Sequence, residues 1–323
     1  MKNFFNFFLA NNGLYGIIFL VLLVFCLLIL RIINIKTIPK DKVNVIQASE
    51  LRADFVLTRD QYQLKIYQVM NQKSNIIIVG AHNLQGQKDD FKLLSNLCQQ
   101  QQWSLIAFDR RGLGKNTNHE KFRSLKTDIN DIKDVVNAIK LKYPHHKIIL
   151  FGEAIGATIA SYACKNNSQV AGLIISNLIT KHHLYPFSAF GFFKLLFAFC
   201  FNRNIKLSLY LDPKEVSNND AYITNMNQRY TLKQIWSFNF LWQFKQLNKK
   251  VPRIIRNLQQ PTLILQSGDD IFSNRRRLKV LIRKWRTHQK YYFIASGKHA
   301  LINEPEIVTI FTETIQPWVI NLL

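Results

Sequence analysis

Acidic residues are scarce in this chain: 20 Asp and Glu stand against 43 Lys and Arg over 323 residues, a formal net charge of +23. Such an excess draws a protein to anionic lipid surfaces, nucleic acid or acidic substrates without choosing among them. No zinc-finger spacing or RNA-binding signature accompanies the charge, so no nucleic-acid partner is expected. Cysteine is nearly absent as well. Cys26, Cys98, Cys164 and Cys200 form no CxxC pair, which leaves out a cysteine-based metal site and favours a reducing compartment. No metal and no cofactor are expected. No stretch is rich enough in Pro or Ser to be a long linker, and no repeat is visible. What is abundant is apolar residues, 48% of the chain, enough for one large domain with a sizeable core.

The longest uncharged run lies near the start. Gly13 to Leu30 reads GLYGIIFLVLLVFCLLIL, and Ile32, Ile33 and Ile35 extend it past Arg31. Roughly 20 apolar residues let a helix cross a bilayer, and the Arg-Ile-Ile-Asn-Ile-Lys that follows is unlike a signal-peptide cleavage site. A single membrane anchor over residues 13–35 is expected, after a tail of residues 1–12 and before a tether of residues 36–48. Arg31, Lys36, Lys40 and Lys42 follow the run and only Lys2 precedes it. The positive-inside rule therefore puts the folded part on the cytoplasmic side. An anionic membrane surface is an expected partner. The tightest basic cluster, Arg275-Arg276-Arg277 with Arg283, Lys284 and Arg286, reads as a solvated helix face.

After the tether, two short early strands at Phe55–Leu57 and Tyr62–Met70 lead into alternating apolar strands and amphipathic helices. Strands are expected at 75–80, 103–109, 146–151, 170–176, 261–266 and 291–294. A helix from Ser124 to Lys142 carries Ile129, Ile132, Val136 and Ile139 on one face. Continuous apolar strands alternating with helices indicate a mostly parallel sheet covered on both faces. The alternation stops at Asn177, and a helical insertion spans 177–250, between core segments 49–176 and 251–323. Its start is crowded with rings, Phe192 and Phe193 among them. They either pack the insertion onto the core, or line an acyl pocket or dip into the bilayer surface.

The most specific stretch is Leu150-Phe-Gly-Glu-Ala-Ile-Gly-Ala157. A buried strand runs into a tight turn and a helix, with Gly152 and Gly156 flanking the centre. That is the setting of the nucleophile elbow, G-x-S-x-G. Asp109-Arg-Arg-Gly-Leu-Gly114, Gln266-Ser-Gly-Asp-Asp-Ile-Phe-Ser-Asn274 and Gly297-Lys-His-Ala-Leu-Ile-Asn-Glu304 follow the order of a turn, an acid loop and a histidine loop. With these motifs the chain resembles the α/β-hydrolases of the lysophospholipase and monoacylglycerol-lipase type, within the serine aminopeptidase S33-like branch. The resemblance implies an α/β-hydrolase fold with a helical cap and ester hydrolysis of monoacyl lipids. It also implies His299 as general base, Asp270 as the acid that orients it (Asp269 second), and backbone oxyanion donors at Ala81 and Ile155.

The departures matter as much. Ala154 stands where the resemblance implies serine. Val79 stands for the usual His of a His-Gly pair before the oxyanion loop, and Asn116 for the usual Ser. A methyl group cannot attack a carbonyl, and loss of the serine of such a triad costs roughly six decades in rate. Glu153 lies on the wrong side of the turn to replace it. His82 and the pairs His145-His146 and His182-His183 have no context that marks them as functional. The leading expectation is a membrane-anchored lipase-like hydrolase with impaired chemistry. Its alternative is a pseudo-hydrolase that binds a lipid or a partner without turnover. A third reading takes Ala154 as an engineered or sequencing change on an active hydrolase.

Overall fold

The computed structural model describes residues 21–27, 48–116, 124–180, 205–208, 212–229, 235–284 and 288–322. Residues 21–27 are helical and their apolar side chains are exposed. The rest of the expected anchor, and Phe192 and Phe193, lie outside the described residues. Among the described residues no helix is long and apolar enough to cross a membrane.

A nine-stranded sheet forms the centre. Its strands are β1 (Glu50–Leu51), β2 (Phe55–Leu57), β3 (Gln63–Val69), β4 (Ile76–Ala81), β5 (Ser104–Phe108), β6 (Lys147–Glu153), β7 (Val170–Ser176), β10 (Thr262–Ser267) and β11 (Gln289–Ile294). The order across the sheet is β1-β2-β3-β5-β4-β6-β7-β10-β11. β1, β2, β3 and β5 pair antiparallel, and everything from β5 to β11 is parallel. All six residues of β4 are buried, as an interior strand covered on both faces demands.

Side-chain alternation along β4 divides the core. Ile77 and Val79 point to the layer of α2 (Leu125–Lys142), α3 (Ile155–Cys164), α6 (Phe238–Asn248), α7 (Val251–Asn257) and α8 (Arg275–Ile282). Ile76 and Ile78 point to α1 (Lys92–Gln100) and the C-terminal helix that runs from Ile307 through a π turn, Phe311–Ile315, to Ile320. Ser124 caps α2, its side chain accepting from the Thr127 N–H. The basic face of α8 is exposed while Leu278 is buried beneath it, as the solvated-face reading requires.

The insertion departs from the expected purely helical cap. Its described part holds α4 (Pro213–Val216) and α5 (Asp220–Arg229), and also a two-stranded antiparallel sheet of β8 (Lys206–Ser208) and β9 (Ile235–Ser237). Trp236 supplies a large apolar ring that stacks on Phe240 at 4.8 Å. Helix α6, at the end of the insertion, buries Phe240, Phe244 and Leu247 in the main core. It serves as part of the helical layer rather than as a detached lid.

Candidate active site

The elbow is built by close backbone approach. A Cβ on Gly156 would lie 2.1 Å from the Ala81 carbonyl oxygen, and one on Gly152 would lie 2.5 Å from the Gly156 oxygen. Only glycine fits at either position. Squeezed between them, Ala154 adopts φ 55° and ψ −110°, a conformation outside the ordinary allowed regions. Its N–H donates to the Ser176 oxygen at 2.9 Å, which ties the turn to β7. Ala154 is the N-cap of α3 but offers no side-chain cap, so the first-turn N–H groups of that helix point at the site unsatisfied by the helix itself.

The other two implied residues meet in space, 29 positions apart. His299 Nδ1 lies 2.8 Å from Asp270 Oδ1, and both side chains are buried. Asp270 also accepts from the Phe272 N–H and from Gln266 Nε2, and the Phe272 ring sits edge-on to the imidazole at 4.5 Å. Asp269 is exposed, so the geometry favours Asp270. Burial alone would lower the His299 pKa. Asp270, and then the charge of Glu153, outweigh it and raise the value above the usual 6.5. Asn177 locks the two loops together. Its Nδ2 donates to the Lys298 and His299 carbonyls, and its Oδ1 accepts from the Ser267 N–H. Sequence reading passed over Asn177; its position just after a buried strand, facing both loops, was the available signal.

Ala81, the first implied oxyanion position, is the last residue of β4, in register with Phe108 on one side and Gly152 on the other. The loop beyond it borders the pocket through Asn83, Leu84 and Gln85. His82 stands between the strand and this loop. Val79 is an interior strand residue, whereas His82 precedes the loop and is fully buried. His82 Nε2 accepts from the Arg110 N–H, and Nδ1 then donates to the Asn83 oxygen at 2.8 Å. Burial and the nearby Arg110 pull its pKa down to about 3, so it stays neutral.

Behind this loop, the Asp109–Gly114 turn is a structural lock. Asp109 accepts from the Lys88 and Lys115 N–H groups. Gly114 (φ 53°) packs so tightly on the Asp109 carboxylate that a Cβ would meet it at 2.3 Å. Asn116 donates to the Asp109 oxygen and accepts from the Lys65 N–H, which gives the departure from serine a hydrogen-bonding role of its own. Arg110 pairs with Asp128, and Arg111 with Asp131 and Asp60.

Glu153 turns away from the pocket, as expected, but it is not idle. It is buried, with Oε2 accepting from Asn83 Nδ2 and Oε1 from the Ile302 N–H. One carboxyl thus joins the oxyanion loop to the histidine loop. Burial pushes its pKa up to about 8 against the restraining Ile302 N–H and the charge of His299.

Ala154, Ile155 and His299 share one apolar pocket, completed by Ile179, Phe244 and Phe272 and, from the insertion, by Val216 and Met226. The insertion is pinned here. The Ala300 N–H donates to the Val216 oxygen, Ser217 and the Asn218 N–H both bond to Glu304, and Arg229 pairs with buried Asp90 at 2.6 Å. Among the described residues no group of three or more His, Cys, Asp or Glu could hold a metal.

Known proteins agree with this architecture. The monoacylglycerol lipase of Paleococcus ferrophilus superposes with a TM-score of 0.67 at 18% identity, covering 81% of this chain and 100% of its own. A soluble variant of the monoglyceride lipase from Saccharomyces cerevisiae, solved with a substrate analogue, gives 0.69 at 17% identity, covering 88% and 99%. Est1E from Butyrivibrio proteoclasticus, bound to ferulic acid, gives 0.58 at 13% identity, covering 80% and 95%. At such identities the likeness establishes the fold. No curated protein matches the sequence. A family model, serine aminopeptidase S33, matches residues 72–306, a span that holds the elbow, the acid loop and the histidine loop, and the chain belongs to that family of α/β-hydrolases.

Proposed function

We propose that this chain is a membrane-anchored, lipase-like α/β-hydrolase that holds a monoacyl lipid, a monoacylglycerol or lysophospholipid, and cannot turn it over by acyl-enzyme chemistry. The observation that carries the reading is the pairing of an intact His299–Asp270 dyad with alanine at the strained elbow position, both bordering one apolar pocket. A dyad can take a proton only from something that bears one, and the Ala154 methyl does not. Everything else needed to hold an acyl group remains. The walls of the pocket are mostly apolar, as an acyl group requires. The lipase neighbours support a lipid ligand. The uncharged run Gly13–Leu30 supports the anchor, and the charges after it support a cytoplasmic folded domain.

The test uses the purified full chain. It should resist labelling by a fluorophosphonate, and a monoacylglycerol or lysophospholipid should raise its melting temperature by linkage. Fluorophosphonate labelling of the unaltered chain, or a melting curve that no monoacyl lipid moves, would overturn the reading.

A further inference from the structure

One end of the pocket is rich in hydrogen-bond donors. The N-terminus of α3 opens there with no side-chain cap, so the Ile155 N–H is left for a ligand. Leu84 borders the same floor from the opposite loop. His299 is 5% exposed. Its Nδ1 is committed to Asp270, which leaves Nε2 as the ring nitrogen available to the pocket. Gln85 also lines the pocket, but its unpartnered buried atom is the amide oxygen, an acceptor, which adds nothing to this set of donors. Asn83 is already spoken for, its amide nitrogen by Glu153 and its oxygen by the Gln85 N–H.

A buried donor without an acceptor is costly, and ligands differ in how many acceptors they bring. The carbonyl of an ester serves one cluster of donors; its bridging oxygen is a poor acceptor for a second. A carboxylate has two equivalent oxygens and accepts from both sides. Serine at position 154 would place a hydroxyl between the imidazole and the backbone donors. Alanine leaves the two sets of donors facing a common ligand.

We propose that the pocket is a receptor for the free carboxylate of a fatty acid, one oxygen on the backbone N–H groups of Ile155 and Leu84 and the other on His299 Nε2. The proposal rests on the acyl-pocket reading above and changes its ligand from an ester to an acid. Charge supports it. The titratable groups facing His299 are Asp270 and Glu153. Protonated His299 with Asp270 is a neutral pair overall, and Glu153, pushed up to about 8, is largely uncharged at neutral pH. The bound anion therefore meets donors and no net negative charge. As pH rises through about 8, Glu153 loses its proton, and the charge it gains disfavours the anion.

The experiment compares laurate, methyl laurate and 1-monolauroylglycerol on the full chain in phosphatidylcholine nanodiscs, with empty nanodiscs subtracted. At pH 7 laurate should bind about tenfold or more tighter than either ester, the gain of a charge-assisted hydrogen bond. The preference should shrink between pH 7 and pH 9 and disappear in His299→Gln. The carboxyl resonance of [1-¹³C]laurate should shift on binding to the unaltered chain and lose that shift in His299→Gln. Esters that bind as tightly as laurate, or a preference that does not change with pH, would overturn the carboxylate assignment while leaving the acyl pocket standing. Failure of all three ligands to bind would remove the acyl pocket itself.

Discussion

Restoring one oxygen atom, by Ala154→Ser, is the most direct test of how complete the remaining machinery is. The elbow already holds its central residue at φ 55°, ψ −110° through the contacts of Gly152 and Gly156. Serine would meet the same backbone strain as alanine and needs no rebuilding of the turn. The base is set, with His299 fixed by Asp270 at 2.8 Å. Loss of a triad serine costs roughly six decades, about 8 kcal/mol of transition-state stabilisation. Part of that return depends on how well the ester fits this pocket, so we expect at least about a thousandfold rise in hydrolysis of a short-chain nitrophenyl ester. In that background Asp270→Asn should lose up to roughly four decades, while Asp269→Asn, altered at an exposed position, should lose little. A folded Ala154→Ser protein, with an unchanged circular dichroism spectrum and melting curve, that neither hydrolyses esters nor takes up fluorophosphonate would refute the reasoning. His299 would then not be placed to serve residue 154.

Three further outcomes follow from the same geometry. Gly156→Ala should destabilise by about 3 kcal/mol or more, because its Cβ would meet backbone, the Ala81 oxygen at 2.1 Å, and neither β4 nor α3 can yield cheaply; an unchanged denaturation midpoint would contradict it. Glu153 has its folded pKa raised from 4.5 to about 8. The folded state therefore binds the extra proton between those values, and stability falls across that window as pH rises, by at most about 1.4 kcal/mol per pH unit. Glu153→Gln should flatten that slope in melting curves taken from pH 5 to pH 8. The full chain should remain in the membrane fraction through alkaline carbonate washing, and removal of residues 1–42 should release it.

The sheet was legible because each interior strand is a short apolar run that helices separate. Val170–Ser176 matches its expected bounds residue for residue, and the Ser124–Lys142 helix begins at its expected cap. The dyad was legible for a different reason. Two glycine-containing loops in the right order carry a resemblance that periodicity cannot. The end of β4 was harder to read, because Ile76–Ala81 passes from strand to loop without a proline or a paired turn signal. Gly80 is glycine because of the Phe91 ring, 2.6 Å from where a Cβ would sit. The buried bonds of His82 to Arg110 and Asn83 leave no local trace in the sequence. The roles of Glu153 and Asn177 are tertiary. Each bonds to segments more than 60 positions away, and no local pattern encodes that.

The strain at Ala154 bears on what the site is for. A non-glycine residue at φ 55°, ψ −110° costs on the order of 1–3 kcal/mol, and in a hydrolase that cost positions the nucleophile. Here there is no nucleophile, yet the conformation persists, because it is fixed from several sides. Gly152 and Gly156 leave no room for the chain to relax, the Ala154 N–H is bound to Ser176, and α3 must start at this point to pack against β6. The elbow is therefore held as a packing feature of strand, turn and helix, with or without a hydroxyl at its centre. What it delivers is the open N-terminus of α3 at an apolar pocket that the dyad-held imidazole also lines. With alanine at the centre, the proposed clamp is built from donors, and such a clamp selects a ligand by its acceptors.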